Sequence, residues 1–186
     1  LEVGRERSVA ALERAMLDDH RIVLAAQKDA QVAEPQPEDI YRCGVIAVVK
    51  QLVRTAEGQM KVLVEALGRC RIEGFVRSEP HYAVCVAPVE ADAHVHAEVE
   101  ALIRTAKRYF GDYERLKKRS PGQAAAVEGI DDPDHVADLI AAGTDAPLEK
   151  KQALLETEGV RDRLEALCVL LASEIELMEL EKKIQM

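Results

Sequence analysis

The chain has 186 residues, a formal net charge of −9 and a composition that is 48% apolar but only 3% aromatic. These values indicate a globular protein with an aliphatic core and exclude a disordered or fibrous chain. The acidic balance disfavours nucleic-acid binding, which needs clustered positive charge. No apolar run approaches the roughly 18 residues of a membrane span and no signal peptide is recognised, which together predict a cytoplasmic protein without membrane contacts.

Residues 1–91 are predicted to form a β-rich subdomain. Its helix, residues 5–18, places Val9, Leu12 and Met16 on one face. Apolar runs rich in β-branched residues, separated by turn residues, predict strands over residues 22–26, 44–53, 61–67, 70–76 and 82–87. We therefore expect a compact antiparallel sheet or small barrel.

Residues 92–186 are predicted to form an α-helical subdomain. Asp92 can cap a helix that extends to about Arg119. Asp followed by Pro is a typical helix start and predicts a second helix over residues 133–143, and Pro147 opens a shorter one. The fold class is therefore predicted to be α+β, with the β region first.

The last predicted element is one long amphipathic helix over residues 158–186. Its apolar stripe has nearly 3.5-residue spacing and suits packing against neighbouring helices first and a partner chain further on. The stripe comprises Leu164, Leu167, Leu171, Ile175 and Met178. Because no Gly or Pro ends this helix, we expect it to continue in a longer parent protein.

Motifs for chemistry are not found. There is no phosphate-binding or dinucleotide-binding glycine motif, and no serine lies in a nucleophile elbow. His94 and His96 are two residues apart on a predicted helix and so do not share a face for a metal. The cysteines lack metal-ligand spacing and are interpreted as buried apolar residues in a reducing compartment: Cys43, Cys70, Cys85 and Cys168. We predict no catalytic residue, metal or cofactor.

One basic run interrupts the acidic sequence. Residues 104–119 contain seven basic residues against Asp112 and Glu114. The run is either a solvated helix face or a contact for an anion, and the sequence leaves both open.

Several segments together resemble one family, the N-terminal domain of Lon, the ATP-dependent serine protease of the AAA+ class. The matches occur in order and with compatible spacing over nearly the whole chain. They lie at residues 3–8 (VGRERS), 23–29 (VLAAQKD), 37–44, 62–65 with 69–72, 130–141, 151–156, 163–165 and 174–184.

The resemblance implies a PUA-like β pseudobarrel followed by a helical subdomain whose last helix leads toward an ATPase ring. It implies a non-catalytic role in engaging unfolded or damaged protein substrates and in assembly, with a homohexameric parent that uses ATP and Mg²⁺. No position here matches the family's ATP site or its Ser-Lys dyad. The strand segment that normally precedes the family's Gly-Arg-Glu motif is missing from this sequence, and with it the first strand or two of the sheet. We therefore expect either an open sheet edge or a sheet completed by a neighbouring molecule.

Three aromatic residues, Tyr41, Phe75 and Tyr82, are the candidate substrate contacts because aromatics are scarce and these lie in or beside strands. The alternative is that each only packs in the core. Two other functions stay open: a self-association module that uses the 164–178 stripe, and a pseudobarrel that binds a small ligand or RNA.

Overall fold

The structure is a computed structural model that describes residues 1–91, 96–118 and 122–186. It divides into two compact units: the β unit, Leu1–Glu90, and the helical unit, Ala91–Met186. Five strands and one α-helix lie in the described part of the first unit, and five α-helices lie in that of the second. The predicted α+β class with a long final helix is confirmed.

The β unit is built on one antiparallel sheet. Its strand order is β1-β4-β3-β2, and β5 pairs with β4 beside this path. The strands are β1 (Glu2–Val3), β2 (Arg21–Leu24), β3 (Cys43–Arg54), β4 (Met60–Arg77) and β5 (Ala83–Pro88).

β4 differs from the sequence-based prediction. Residues 61–67 and 70–76 were expected to be two strands, and they form one strand of 18 residues. The reason is a bulge: Gly68 lies opposite Ile46 while Ala66 lies opposite Ala47, so the ladder absorbs one extra residue and continues. A glycine at a strand interior marked this bulge and not a turn.

Helix α1 (Glu6–Met16) packs on the sheet through its apolar face. Leu12 forms a buried cluster with Val49, Met60 and Val62. Ala15 is also buried, whereas Met16, predicted on the inner face, is 37% exposed. The turn between β3 and β4 contains Gly58 at a φ of 81°, a conformation that favours glycine.

The helical unit contains α2 (Ala97–Leu116), α3 (Gly122–Glu128), α4 (Pro133–Gly143), α5 (Leu148–Glu156) and α6 (Val160–Ile184). The start of α4 is as predicted: Asp132 caps the helix by accepting a hydrogen bond from His135 N at 2.8 Å, and Pro133 follows it. The predicted cap Asp92, together with His94 and Arg119, lies outside the described residues.

One continuous apolar core holds the helical unit together. Phe110 and Tyr113 of α2 are almost fully buried there, with ring centroids 6.4 Å apart. Gly143 at the end of α4 permits this packing, because a Cβ atom there would lie 2.6 Å from Phe110 Cζ. Aromatic volume from α2 therefore fixes how closely α4 can approach.

A buried ion pair also joins α4 to α6. The Arg163 side chain is only 3% exposed and pairs with Asp134, while Asp138 Oδ1 lies 3.9 Å from its Nη1. Removing one partner of a buried pair leaves an uncompensated charge, so loss of either side chain should destabilise the contact between the two helices. Among the described helices, none is long and apolar enough to cross a membrane.

Candidate functional site

The β unit contains a groove of about 530 Å³ between α1 and the sheet. Its walls come from residues far apart in sequence, on α1, β2, β3, β4 and β5. We call this site the groove. Its lining includes Arg7, Ala11, Arg14, Ala15, Asp18, Arg21, Ile22, Ile40, Ile46, Ile72, Phe75, His81, Tyr82, Val84 and Val86.

The floor of the groove is aliphatic. Ile46, Ile72 and Val84 come from three strands of the sheet, where residues at every second position share a face. Facing them, α1 presents Ala11 and Ala15, which are one helical turn apart and therefore on the same side. Because these alanine side chains are small, the space between the helix and the sheet is not filled. An apolar cleft remains there.

Two aromatic side chains form one wall. Phe75 and Tyr82 meet edge to face, with centroids 5.3 Å apart and planes at 79°, a favoured geometry for aromatic pairs. The guanidinium of Arg42 lies 5.2 Å from the Phe75 centroid, and that of Arg7 lies 4.8 Å from the Tyr82 centroid. Stacked cations and rings hold this wall in one orientation.

Arg7 also anchors the wall through hydrogen bonds. It donates to the Tyr82 hydroxyl at 2.7 Å and to Glu79 Oε1 at 2.6 Å. The carboxylate of Glu79 raises the pKa of Arg7. Tyr82 in turn donates to the Pro35 carbonyl at 2.7 Å. The polar atoms of this wall are therefore satisfied within the protein, and what it offers a ligand is ring surface.

The rim of the groove carries both signs of charge. Arg14 and Arg21 line it together with Asp18 and Asp19, and the Arg21–Asp19 contact is 3.9 Å long between largely exposed side chains. Charges of opposite sign at similar distances largely cancel for a charged ligand. The lining of the groove is therefore mainly apolar, and charges of both signs lie at its rim.

The structure brings together two of the three predicted contact residues. Phe75 and Tyr82 share the groove wall, whereas Tyr41 is half-buried outside the lining and its backbone N–H donates to Ala26 O at 2.9 Å. The aliphatic floor was missed by sequence reasoning. The sequence feature that could have indicated the groove is the pair Ala11 and Ala15. Two alanines one turn apart on an amphipathic helix give that face little side-chain volume to fill the space against a sheet.

The predicted stripe of α6 lies mainly inside the helical unit. Leu164, Leu167 and Leu171 are fully buried in its core, and Ile175 and Met178 pack against that core. These three leucines are therefore not accessible to another chain. A different set on α6 is exposed, namely Leu177, Leu180 and Ile184 at 50%, 47% and 84%.

The cysteines are not all buried as predicted. Cys70 and Cys168 are buried and Cys43 is half-buried, but Cys85 is exposed because it points outward from β5. Burial raises the pKa of the Cys168 thiol to about 11. Within the described ranges, no group of three or more His, Cys, Asp or Glu side chains is arranged to hold a metal ion.

Residues 1–173 match the family described as the ATP-dependent protease La (LON) substrate-binding domain. The chain therefore belongs to this family, which confirms the resemblance found in the sequence.

Curated relatives agree with this assignment, and a solved structure is similar in fold. The chain is 40% identical to a Lon protease of Brevibacillus choshinensis over 99% of its own length and 24% of the relative's, and 39% identical to that of Escherichia coli K12 over 100% and 24%. It thus spans about a quarter of these relatives. The N-terminal domain of the Mycobacterium avium complex Lon protease is similar in fold, with a TM-score of 0.75 at 23% identity over 92% of this chain and 89% of that one.

Proposed function

We propose that this chain captures protein substrates for a Lon-type ATP-dependent protease, holding apolar segments of unfolded or damaged proteins in the groove before they pass to the ATPase ring. The observation that supports this most is an apolar cleft with an ordered aromatic wall in a chain of the substrate-binding family. ATP, Mg²⁺ and peptide-bond hydrolysis belong, in this proposal, to other parts of the parent protein.

The groove suits weak and general capture. Full burial of one large aliphatic or aromatic side chain contributes about 1.5–3 kcal/mol, and association costs at least about 4 kcal/mol in lost freedom. One groove filled by one or two side chains therefore binds weakly. A homohexameric parent would carry six grooves, and linked weak sites raise the effective concentration of a substrate near the pore.

A matched pair of variants tests the groove. Val84 is half-buried in the groove lining, whereas Val76 is exposed and outside it. We expect Val84→Asp to weaken binding of a fluorescent unfolded-protein peptide at least tenfold, because a carboxylate would face the apolar floor. Val76→Asp should change binding less than twofold.

A second groove variant distinguishes a blocked groove from a misfolded chain. Ala11→Phe fills the cleft without adding charge, and circular dichroism would show whether the fold is kept. If folded Val84→Asp and Ala11→Phe both bind peptides like the unmodified chain, the groove is not the capture site.

Self-association is a second candidate function, favoured by the exposed residues Leu177, Leu180 and Ile184. Their spacing of three and four residues places them on one face of α6, where they form an apolar stripe suited to a partner helix. Sedimentation at micromolar to millimolar concentration tests it. Leu177→Glu with Leu180→Glu should abolish any association, and a chain that stays monomeric throughout would count against this function.

A further inference from the structure

Helix α2 displays a row of arginines on one exposed face. Arg104, Arg108 and Arg115 are four and seven residues apart, and Gly111 lies between the last two, which places all four on the same side of the helix. At 1.5 Å per residue the row is about 16 Å long. We call these three side chains the arginine row.

Two members of the arginine row, Arg104 and Arg108, form no ion pair within the described residues. Lys107 Nζ donates to the Glu128 and Ile130 carbonyls at 3.1 and 2.7 Å, so its role is to hold the end of α3. Within the described residues no carboxylate forms an ion pair with Arg104 or Arg108, although Arg115 pairs with Asp112. These two exposed guanidinium groups do not contribute to the packing of the helical unit through ion pairs.

The segment around the arginine row is basic, although the whole chain is acidic. Residues 100–118 carry six basic and three acidic side chains, in a protein of net charge −9. One of the three acidic residues, Glu100, lies one turn before Arg104 without forming an ion pair with it, and the second, Asp112, neutralises only Arg115. The centre of the row is therefore locally basic, in a chain whose net charge is negative.

Gly111 is a second observation at the same place. Glycine inside a helix is destabilising relative to alanine. Packing does not require a glycine at this position, because a Cβ atom on residue 111 would meet nothing within 4 Å. Gly143 shows the contrast, because a Cβ there would collide with Phe110. At Gly111 the helix backbone is open to close approach from outside, in the middle of the arginine row.

We propose that the arginine row and Gly111 form a docking surface for an acidic protein segment. The segment lies across α2 at Gly111, and its carboxylates accept paired hydrogen bonds from the guanidinium groups, whose planar fork fits a carboxylate. This surface goes beyond the apolar capture proposed for the groove and recognises a different chemistry in the protein partner.

The overall charge favours a short acidic segment over a nucleic acid. Electrostatic interactions between exposed charges extend over a Debye length of about 8 Å at physiological ionic strength. A peptide with a few carboxylates fits within the row, whereas a long polyanion would extend past it over a chain of net charge −9. The row also lacks the length for many phosphate contacts.

The test uses two labelled twelve-residue peptides, one with glutamates four residues apart among alanines and one with glutamine at the same positions. Fluorescence anisotropy with this chain at 50 mM NaCl should show the glutamate peptide binding at least tenfold more tightly. Raising NaCl to 500 mM should weaken that binding at least fivefold, since exposed ion pairs are screened.

Variants locate the contact. Arg104→Glu with Arg108→Glu should lose at least tenfold in affinity, whereas the control Lys182→Glu with Lys183→Glu, which makes the same change in net charge at the exposed end of α6, should lose less than twofold. Gly111→Leu should also lose at least fivefold without a lower melting temperature. Val84→Asp should leave this binding unchanged, which separates it from capture in the groove.

Three results would overturn the proposal. Equal losses in the two charge-reversal variants would show a net-charge effect only. Equal affinity for the glutamate and glutamine peptides would show that carboxylates are not recognised. Tighter binding of a twelve-nucleotide single strand than of the glutamate peptide would assign the surface to nucleic acid instead.

Discussion

The two units use their large side chains differently. In the helical unit, Phe110 and Tyr113 are buried and the leucines of α6 fill the core. In the β unit, Phe75 and Tyr82 are only half-buried and border a groove with an unfilled aliphatic floor. Apolar surface that is buried stabilises a fold, and apolar surface that is ordered but accessible can bind. The buried aromatic residues therefore stabilise the helical unit, whereas the accessible ones of the β unit are the basis of the capture that we propose for it.

The largest expected effect is in the core of the helical unit. Leu164→Ala should lower the free energy of unfolding by about 3–4 kcal/mol, since a fully buried leucine leaves a cavity. Leu177→Ala, half exposed on the same helix, should cost less than about 1 kcal/mol. Urea denaturation of both variants checks the pair, and equal costs would contradict the described burial of α6.

The buried ion pair should give the next largest effect. Arg163→Ala removes a nearly inaccessible charge that pairs with Asp134, and it should cost about 3 kcal/mol. Arg161→Ala, two residues earlier, breaks contacts with Glu98 and Glu165 that are exposed, and it should cost much less, since exposed ion pairs contribute little to stability. Thermal denaturation separates them. A cost for Arg161→Ala as large as that for Arg163→Ala would show that burial is not the cause.

Substitution of two glycines by alanine should change the free energy of unfolding in opposite directions. Gly143→Ala should destabilise the helical unit by about 1–3 kcal/mol because its Cβ collides with Phe110. Gly111→Ala should stabilise it by about 0.5–1 kcal/mol, because open space surrounds that position and alanine favours the helix. Chemical denaturation of the two variants measures both. Destabilisation by Gly111→Ala would mean that its backbone conformation or surroundings differ from those described.

The smallest effect concerns an exposed ion pair. Hydrogen bonding and charge from Arg161 lower the pKa of Glu98. Because the folded-state pKa lies below the unfolded one, the pair stabilises the protein above the unfolded pKa, and the stabilisation is lost as pH falls through the folded pKa. A side-chain NMR titration should show the low pKa, and Arg161→Gln should return it toward the ordinary value. An unchanged pKa in that variant would exclude Arg161 as the cause.

Local sequence signals predicted much of the fold. Asp132 followed by Pro133 fixed the start of α4 because capping depends only on neighbouring residues. Alternating Val and Ile indicated the strands, but the bulge at Gly68 joined two predicted strands, since a bulge depends on the partner strand. The buried position of Arg163 was not foreseen, because a charged residue is assigned to the surface unless its partner is known.

The site was predicted only in part. Scarcity of aromatics pointed to Phe75 and Tyr82, and these do share a wall. The groove itself combines Ala11, Ile46 and Val84, whose proximity depends on how α1 packs on the sheet. The pattern of a single sequence shows which face of each helix or strand is apolar. It does not show where two apolar faces leave a gap between them, as α1 and the sheet do at the groove.

Site-specific crosslinking in the full-length gene product tests the central claim most directly. A photoreactive phenylalanine analogue is placed at position 84 in the groove or at position 76 outside it, and an unfolded protein substrate is added before illumination. We predict strong crosslinking from position 84 and little from position 76. Equal crosslinking from both positions, or crosslinking from position 76 alone, would contradict capture in the groove.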